Sequence, residues 1–238
     1  MELPDNSLKR EWLTAGTSEL WETGGTYSSV AYHRLPRPPE LDVRLDWLTE
    51  LPDREYGCTL NCEESSIGDL GSLADELSEL GFSFPEEFML FMSQPELQAR
   101  VPSCTACYLE TSDAVTPLPG FPGSFVVRFM NDQQCCVMWY LLFQPGAPTR
   151  VLASGYFIER DIFDAMEYLA DDDEPLSFES ILSDASICGE SFGEFMYRFC
   201  IENCIWFATH ENHQLSEREN EYINAARQSA EQDVDLNT

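Results

Sequence analysis

Lysine is almost missing from this chain: Lys9 is the only one in 238 residues. Arginine does not make up the difference, because 13 basic residues face 43 acidic ones and the formal net charge is −30. A surface of that sign repels phosphate backbones and anionic lipid, which excludes direct binding of nucleic acid or membrane as the working expectation. No apolar run approaches the roughly 18 residues that a membrane-spanning helix needs. The first residues, MELPDNSLKREW, hold no apolar run of signal-peptide length, so the expected location is the cytoplasm. Histidine is scarce as well, with three in total. There is no Gly-rich phosphate loop and no H-E-x-x-H, which leaves those two catalytic signatures unfilled.

Hydrophobic residues make up 43% of the sequence, ample for a core. Phe125 to Phe157 is the stretch around which the rest is expected to pack. Phe125, Val126, Val127 and Phe129 form one β-prone run, and Val137, Trp139, Tyr140 and Phe143 form another. Asn131-Asp132-Gln133-Gln134 between them is of hairpin length, and Gln144-Pro145-Gly146-Ala147-Pro148 breaks the ladder before Val151 to Ile158. Such short connections require antiparallel neighbours. Cys104 to Leu109 is a candidate fourth strand. Val137–Phe143 is apolar almost throughout, as expected of a central strand covered on both faces.

Helices are expected on either side in sequence. Leu70, Leu73, Leu77 and Leu80 recur at helical spacing and stop at Gly81. Ser83 and Glu86 fit a capping box, with Pro85 in the first turn and Phe88, Phe91 and Met92 on one face. Asp161 to Ala170 reads as a helix that ends at Asp171-Asp172-Asp173-Glu174-Pro175. Ser191 and Glu194 open a strongly apolar helix carrying Phe192, Phe195, Met196, Phe199 and Trp206, and Ser216 and Glu219 open another with Tyr222, Ile223 and Ala226. The fold class is therefore α+β: a mainly antiparallel central sheet of about 4–6 strands flanked by N-terminal and C-terminal helices. Residues 46–228 form one domain, 1–45 an N-terminal extension of undetermined structure, and 229–238 a frayed tail.

Nine cysteines, an odd number scattered through apolar segments, read as free thiols in a reducing compartment. Cys104-Thr-Ala-Cys107 and His210-Glu-Asn-His213 together have the composition of a Cys₂His₂ zinc site. The cysteines, however, fall where a strand is expected, and a strand turns residues three apart to opposite faces. No metal and no cofactor are expected. With 43 carboxylates, chance pairs are everywhere, so paired acids do not mark a catalytic site.

Phe84-Pro85-Glu86-Glu87-Phe88 at a helix start precedes a strand bearing Trp139-Tyr140. Later comes Phe195-Met-Tyr-Arg-Phe-Cys-Ile-Glu-Asn203 with Ile205-Trp206-Phe207-Ala208. This ordering resembles the SMI1/KNR4 (SUKH) superfamily over roughly residues 70–225, in particular a bacterial subgroup of immunity proteins. Ser93-Gln-Pro-Glu96 stands where members commonly carry an Asn-Gly-Gly turn. The resemblance implies a non-enzymatic binding protein, since the family supplies no catalytic residues. Many bacterial members look like immunity proteins that neutralise toxins, often nucleases, and fungal members act as regulatory scaffolds.

The expectation is an acidic protein-binding module for a basic partner, with an immunity protein against a cationic toxin as the leading form. Asp171, Asp172, Asp173 and Glu174 are the candidate contacts, with Glu63 and Glu64 as a second patch. The alternatives are a regulatory scaffold, or a zinc- or thiol-dependent module using Cys104, Cys107, His210 and His213. Acidity that serves only solubility or salt tolerance accounts for the charge equally well.

Overall fold

The computed structural model describes residues 8–15, 26–51, 54–61, 65–118, 120–159 and 178–236. Its strands are β1 (Lys9–Ala15), β2 (Tyr27–Ala31), β3 (Tyr108–Leu109), β4 (Thr116–Pro117), β5 (Phe125–Asn131), β6 (Met138–Phe143), β7 (Arg150–Ser154) and β8 (Ser186–Gly189). Its helices are α1 (Leu70–Glu79), α2 (Glu86–Ser93), α3 (Pro95–Gln98), α4 (Phe178–Asp184), α5 (Phe192–His210) and α6 (Glu217–Leu236).

The fold is α+β, built on one eight-stranded sheet of order β2-β1-β8-β7-β6-β5-β3, with β4 also paired to β5. That exceeds the four to six strands expected. The candidate fourth strand over Cys104–Leu109 is reduced to the two-residue β3, and the additional strands are the two-residue β4, β8 and the N-terminal pair. Residues 9–31, read from sequence as an extension of undetermined structure, supply β1 and β2. Pairing is antiparallel except for β1 with β8, where Lys9 and Arg10 run parallel to Ser186 and Ile187. At the other end, α6 continues past residue 228, where the sequence reading ended the domain.

β6 sits in the middle and all six of its residues are buried. Alternation divides them between two cores. Trp139, Leu141 and Phe143 join the larger cluster with Val127, Phe129, Val151 and Phe192, Phe195 and Phe199 of α5. Met138, Tyr140 and Leu142 join a smaller one with Val126, Leu152 and Ile187. The β5–β6 register shifts between Arg128 and Met130, a bulge that puts both Phe129 and Met130 into the larger core.

That core is aromatic. Phe88 of α2 meets Phe192 edge-on at 5.2 Å and Phe129 at 6.0 Å, while Phe195 of α5 lies 5.7 Å from Trp12 and 6.1 Å from Trp139. α5 is therefore packed on several sides: sheet and α2 on one, α6 on another. Gly189 lets it approach, because a Cβ there would lie 2.8 Å from Phe195 Cβ and 3.0 Å from Ser191 O.

Two capping expectations are met and one is not. Ser191 Oγ accepts from Glu194 N at 3.1 Å. Ser216 and Glu219 form both halves of their box, at 3.3 and 2.6 Å. α2 instead begins at Glu86 behind Pro85, with no side-chain cap. Phe84 precedes a proline and so favours extended backbone. Its ring packs on Phe88 at 5.0 Å and Phe143 at 6.0 Å, which holds the chain out of the helix there.

Candidate partner-binding surface

Five of the few cations are committed to carboxylates of the fold itself. Arg128, only 8% exposed, is ion-paired to both Glu110 and Glu159, donates from Nη1 to Asn131 Oδ1 at 2.9 Å and faces the Phe157 ring. Arg198 donates to Pro36 O at 2.6 Å and to Glu194 Oε1 at 2.8 Å, beneath the Tyr32 ring. Arg54 donates to both oxygens of the buried Glu219, at 2.5 and 2.9 Å, and to Gln214 O at 2.7 Å. Burial opposes the Glu219 charge, yet the bonds from Arg54 and Ser216 outweigh it and lower its pKa. Arg218 pairs with Glu50 at 2.6 Å, and Arg10 with Glu190.

The outer carboxylates are left facing water. From Glu55 to Ala99 the sequence has ten Asp and Glu residues and no Lys or Arg. This stretch contains α1, α2 and α3, which expose Asp75, Glu79, Glu86 and Glu96. Two of its acids have local duties: Asp69 Oδ1 caps α1 through Gly71 N and Ser72 N, and Glu76 Oε2 accepts from Val115 N at 2.9 Å.

Beside these acids lies a groove of about 640 Å³ between the segment 43–49 and the α2–α3 corner. One wall is set by a 3-10 turn, Asp46–Glu50. Leu45 enters it with φ of 57°, unusual for a leucine, and its side chain is fully buried. Asp42 Oδ1 accepts from Asp46 N at 3.1 Å and fixes the turn. Trp47 then anchors it edge-on against Tyr197 at 5.4 Å. The other wall carries Glu86, Met89, Leu90, Ser93, Gln94 and Leu97. Val43 on the lip is 51% exposed, the most exposed large apolar side chain among the described residues.

No protein-family model, curated protein or solved structure matches this chain.

The six acids singled out from sequence, Asp171, Asp172, Asp173, Glu174, Glu63 and Glu64, lie outside the described residues, as does the helix expected over 161–170. The cysteine and histidine pairs are described, and the structure does not bring them together. Cys104–Cys107 is a turn, not a strand: Ala106 has φ of 52° and its N–H donates to Ser103 O at 3.2 Å. Ser103 Oγ accepts from Cys107 N at 2.8 Å, and Cys104 N donates to Asn203 Oδ1 at 2.7 Å. Burial pushes the Cys104 thiol up to about 12 and Cys107 to about 11, the reverse of an activated thiolate. His210 stacks on Trp206 at 3.9 Å and its Nδ1 donates to Trp206 O, while His213 contacts Glu211 at 3.0 Å. Among the described residues no group of three or more His, Cys, Asp or Glu is placed to hold a metal. No helix among them is long and apolar enough to cross a membrane.

The groove was missed because its two walls, residues 43–49 and 86–97, are brought together only by the fold. One signal was available: Met89 and Leu90 add apolar residues to α2 beyond Phe88, Phe91 and Met92.

Proposed function

We propose that this protein is a non-enzymatic, acidic protein-binding module that captures a basic partner, in the manner of an immunity protein neutralising a cationic toxin domain. The observation that carries the reading is the separation of charge. The arginines Arg54, Arg128 and Arg198 are ion-paired within the fold, while α1 to α3 present acids with no basic residue among them. A field of one sign accelerates encounter with an oppositely charged protein and disfavours anionic competitors. A nuclease would meet in this surface a mimic of the phosphates it handles. The reading rests on charge, and the resemblance noted from sequence agrees with it.

The test is titration against the product of a neighbouring reading frame, at about 50 and about 300 mM salt, which shortens the Debye length roughly 2.5-fold. The expected result is a stoichiometric complex whose affinity falls with salt. A complex indifferent to salt removes electrostatic capture as the mechanism.

A further inference from the structure

The apolar surface of α2 is wider than its fully buried face. Phe88, Phe91 and Met92 are buried against the sheet core. Met89 and Leu90 are only half-buried and line the groove, whose floor is completed by Leu45 and Leu97. Met89 and Leu90 pack in part on the same core, and the portion of each that the core leaves uncovered is apolar surface open to another molecule. The groove volume of about 640 Å³ is in the range of sites that accept a few side chains. Methionine in its wall lends such a site shape tolerance.

The charges at the rim say what the cover is. Asp46 and Glu86 stand on opposite walls and both are exposed. The one cation in the lining is Arg44, whose side chain is 79% exposed and whose Nε lies 3.7 Å from Asp46 Oδ2, a loose contact at the limit of an ion pair. It is also the cation nearest to hand for an incoming guanidinium or ammonium to replace.

Resting on the reading given above, we propose that this groove seats a short cationic segment of the basic partner: an apolar side chain over Met89 and Leu90, with Arg or Lys on either side facing Asp46 and Glu86. The wide acidic field supplies the encounter, and the groove supplies the register.

The proposal is tested on the full chain by fluorescence anisotropy with three synthetic peptides of equal length. One has leucines flanked by arginines; in the second the leucines are serine; in the third the arginines are glutamate. The first binds, and the second binds at least about tenfold more weakly, equivalent to ~1.4 kcal/mol. The third shows no binding. Ser93→Trp, at an exposed position on the groove wall, weakens the first peptide about tenfold or more. Arg44→Ala strengthens it, because a competing cation is gone, and Glu86→Gln weakens it. Thermal melts establish that each variant is folded.

Equal binding of the first two peptides, unaffected by Ser93→Trp, overturns the groove while leaving capture of a basic protein intact. No binding of any peptide also overturns the groove, and the wider reading is then judged by the salt titration alone. Binding of the glutamate peptide as tight as the arginine one overturns the cationic occupant.

Discussion

The indole Nε1 of Trp12 donates to Glu202 Oε2 at 2.8 Å, joining the first strand to the middle of α5 across 190 residues. Tyr222 of α6 donates to the other carboxylate oxygen at 2.9 Å. Glu202 is 3% exposed, so this carboxyl ties β1, α5 and α6 together inside the core. Trp12→Phe removes one donor from a buried acceptor and is expected to cost about 1–3 kcal/mol in chemical denaturation.

The same carboxyl makes stability depend on pH. Burial raises its pKa above the ordinary 4.5, against the opposing bonds from Trp12, Thr14 and Tyr222. The folded state then holds the proton more firmly than the unfolded chain. This site's contribution is complete below 4.5 and declines as pH rises toward the folded value. Glu202→Gln abolishes that titration. The Tm of the variant relative to wild type is expected to rise between about pH 4 and about pH 7. A difference that stays flat contradicts the assignment.

Glu219 titrates in the opposite sense. Burial opposes its charge, but the hydrogen bonds from Arg54 and Ser216 lower its pKa, so its contribution is present above 4.5 and lost as pH falls. Arg54→Met strands this buried carboxylate and is expected to cost about 3–5 kcal/mol at neutral pH, less in acid. Denaturation midpoints at the two pH values measure both the size and the trend.

Gly189→Ala places a methyl 2.8 Å from Phe195 Cβ and 3.0 Å from a backbone oxygen. The start of α5 must shift off β8 to accept it, at about 1–3 kcal/mol. Gly81, with φ of 84° and open space around it, tests a different cause: its alanine variant is destabilised by backbone strain alone.

Thiol labelling of the native protein separates the cysteines by place. Cys136 is exposed, whereas Cys107, Cys188 and Cys200 are buried. At about pH 8 a thiol reagent is expected to modify Cys136 promptly and the other three only on unfolding, as read by peptide mass spectrometry. Rapid modification of Cys107 contradicts the buried turn.

The centre of the fold was legible because its signals are local. Prolines 145 and 148 and the Asn131-Asp132 turn mark the ends of β5, β6 and β7, and the unbroken apolar run of β6 announces a strand with two cores. Ser191 and Ser216 marked helix starts through bonds spanning three residues. β1 and β2 were not legible. KREWLTA alternates weakly, and its place is set by a parallel neighbour at Ser186, far along the chain. The groove shares that limit, since nothing near Val43 foretells that α2 will lie opposite. The Cys104 turn failed for another reason: a left-handed alanine carries no compositional mark.

The central claim is that unbalanced charge serves capture, and association kinetics test it most directly. Stopped-flow mixing with the basic partner should give a rate constant that falls at least about tenfold between about 50 and about 300 mM salt. The triple variant Asp75→Asn, Glu79→Gln, Glu86→Gln should lose much of that dependence while its melting temperature holds. Wild-type association at an ordinary ~10⁵–10⁶ M⁻¹s⁻¹, the same at both salt concentrations and in the variant, would contradict the account.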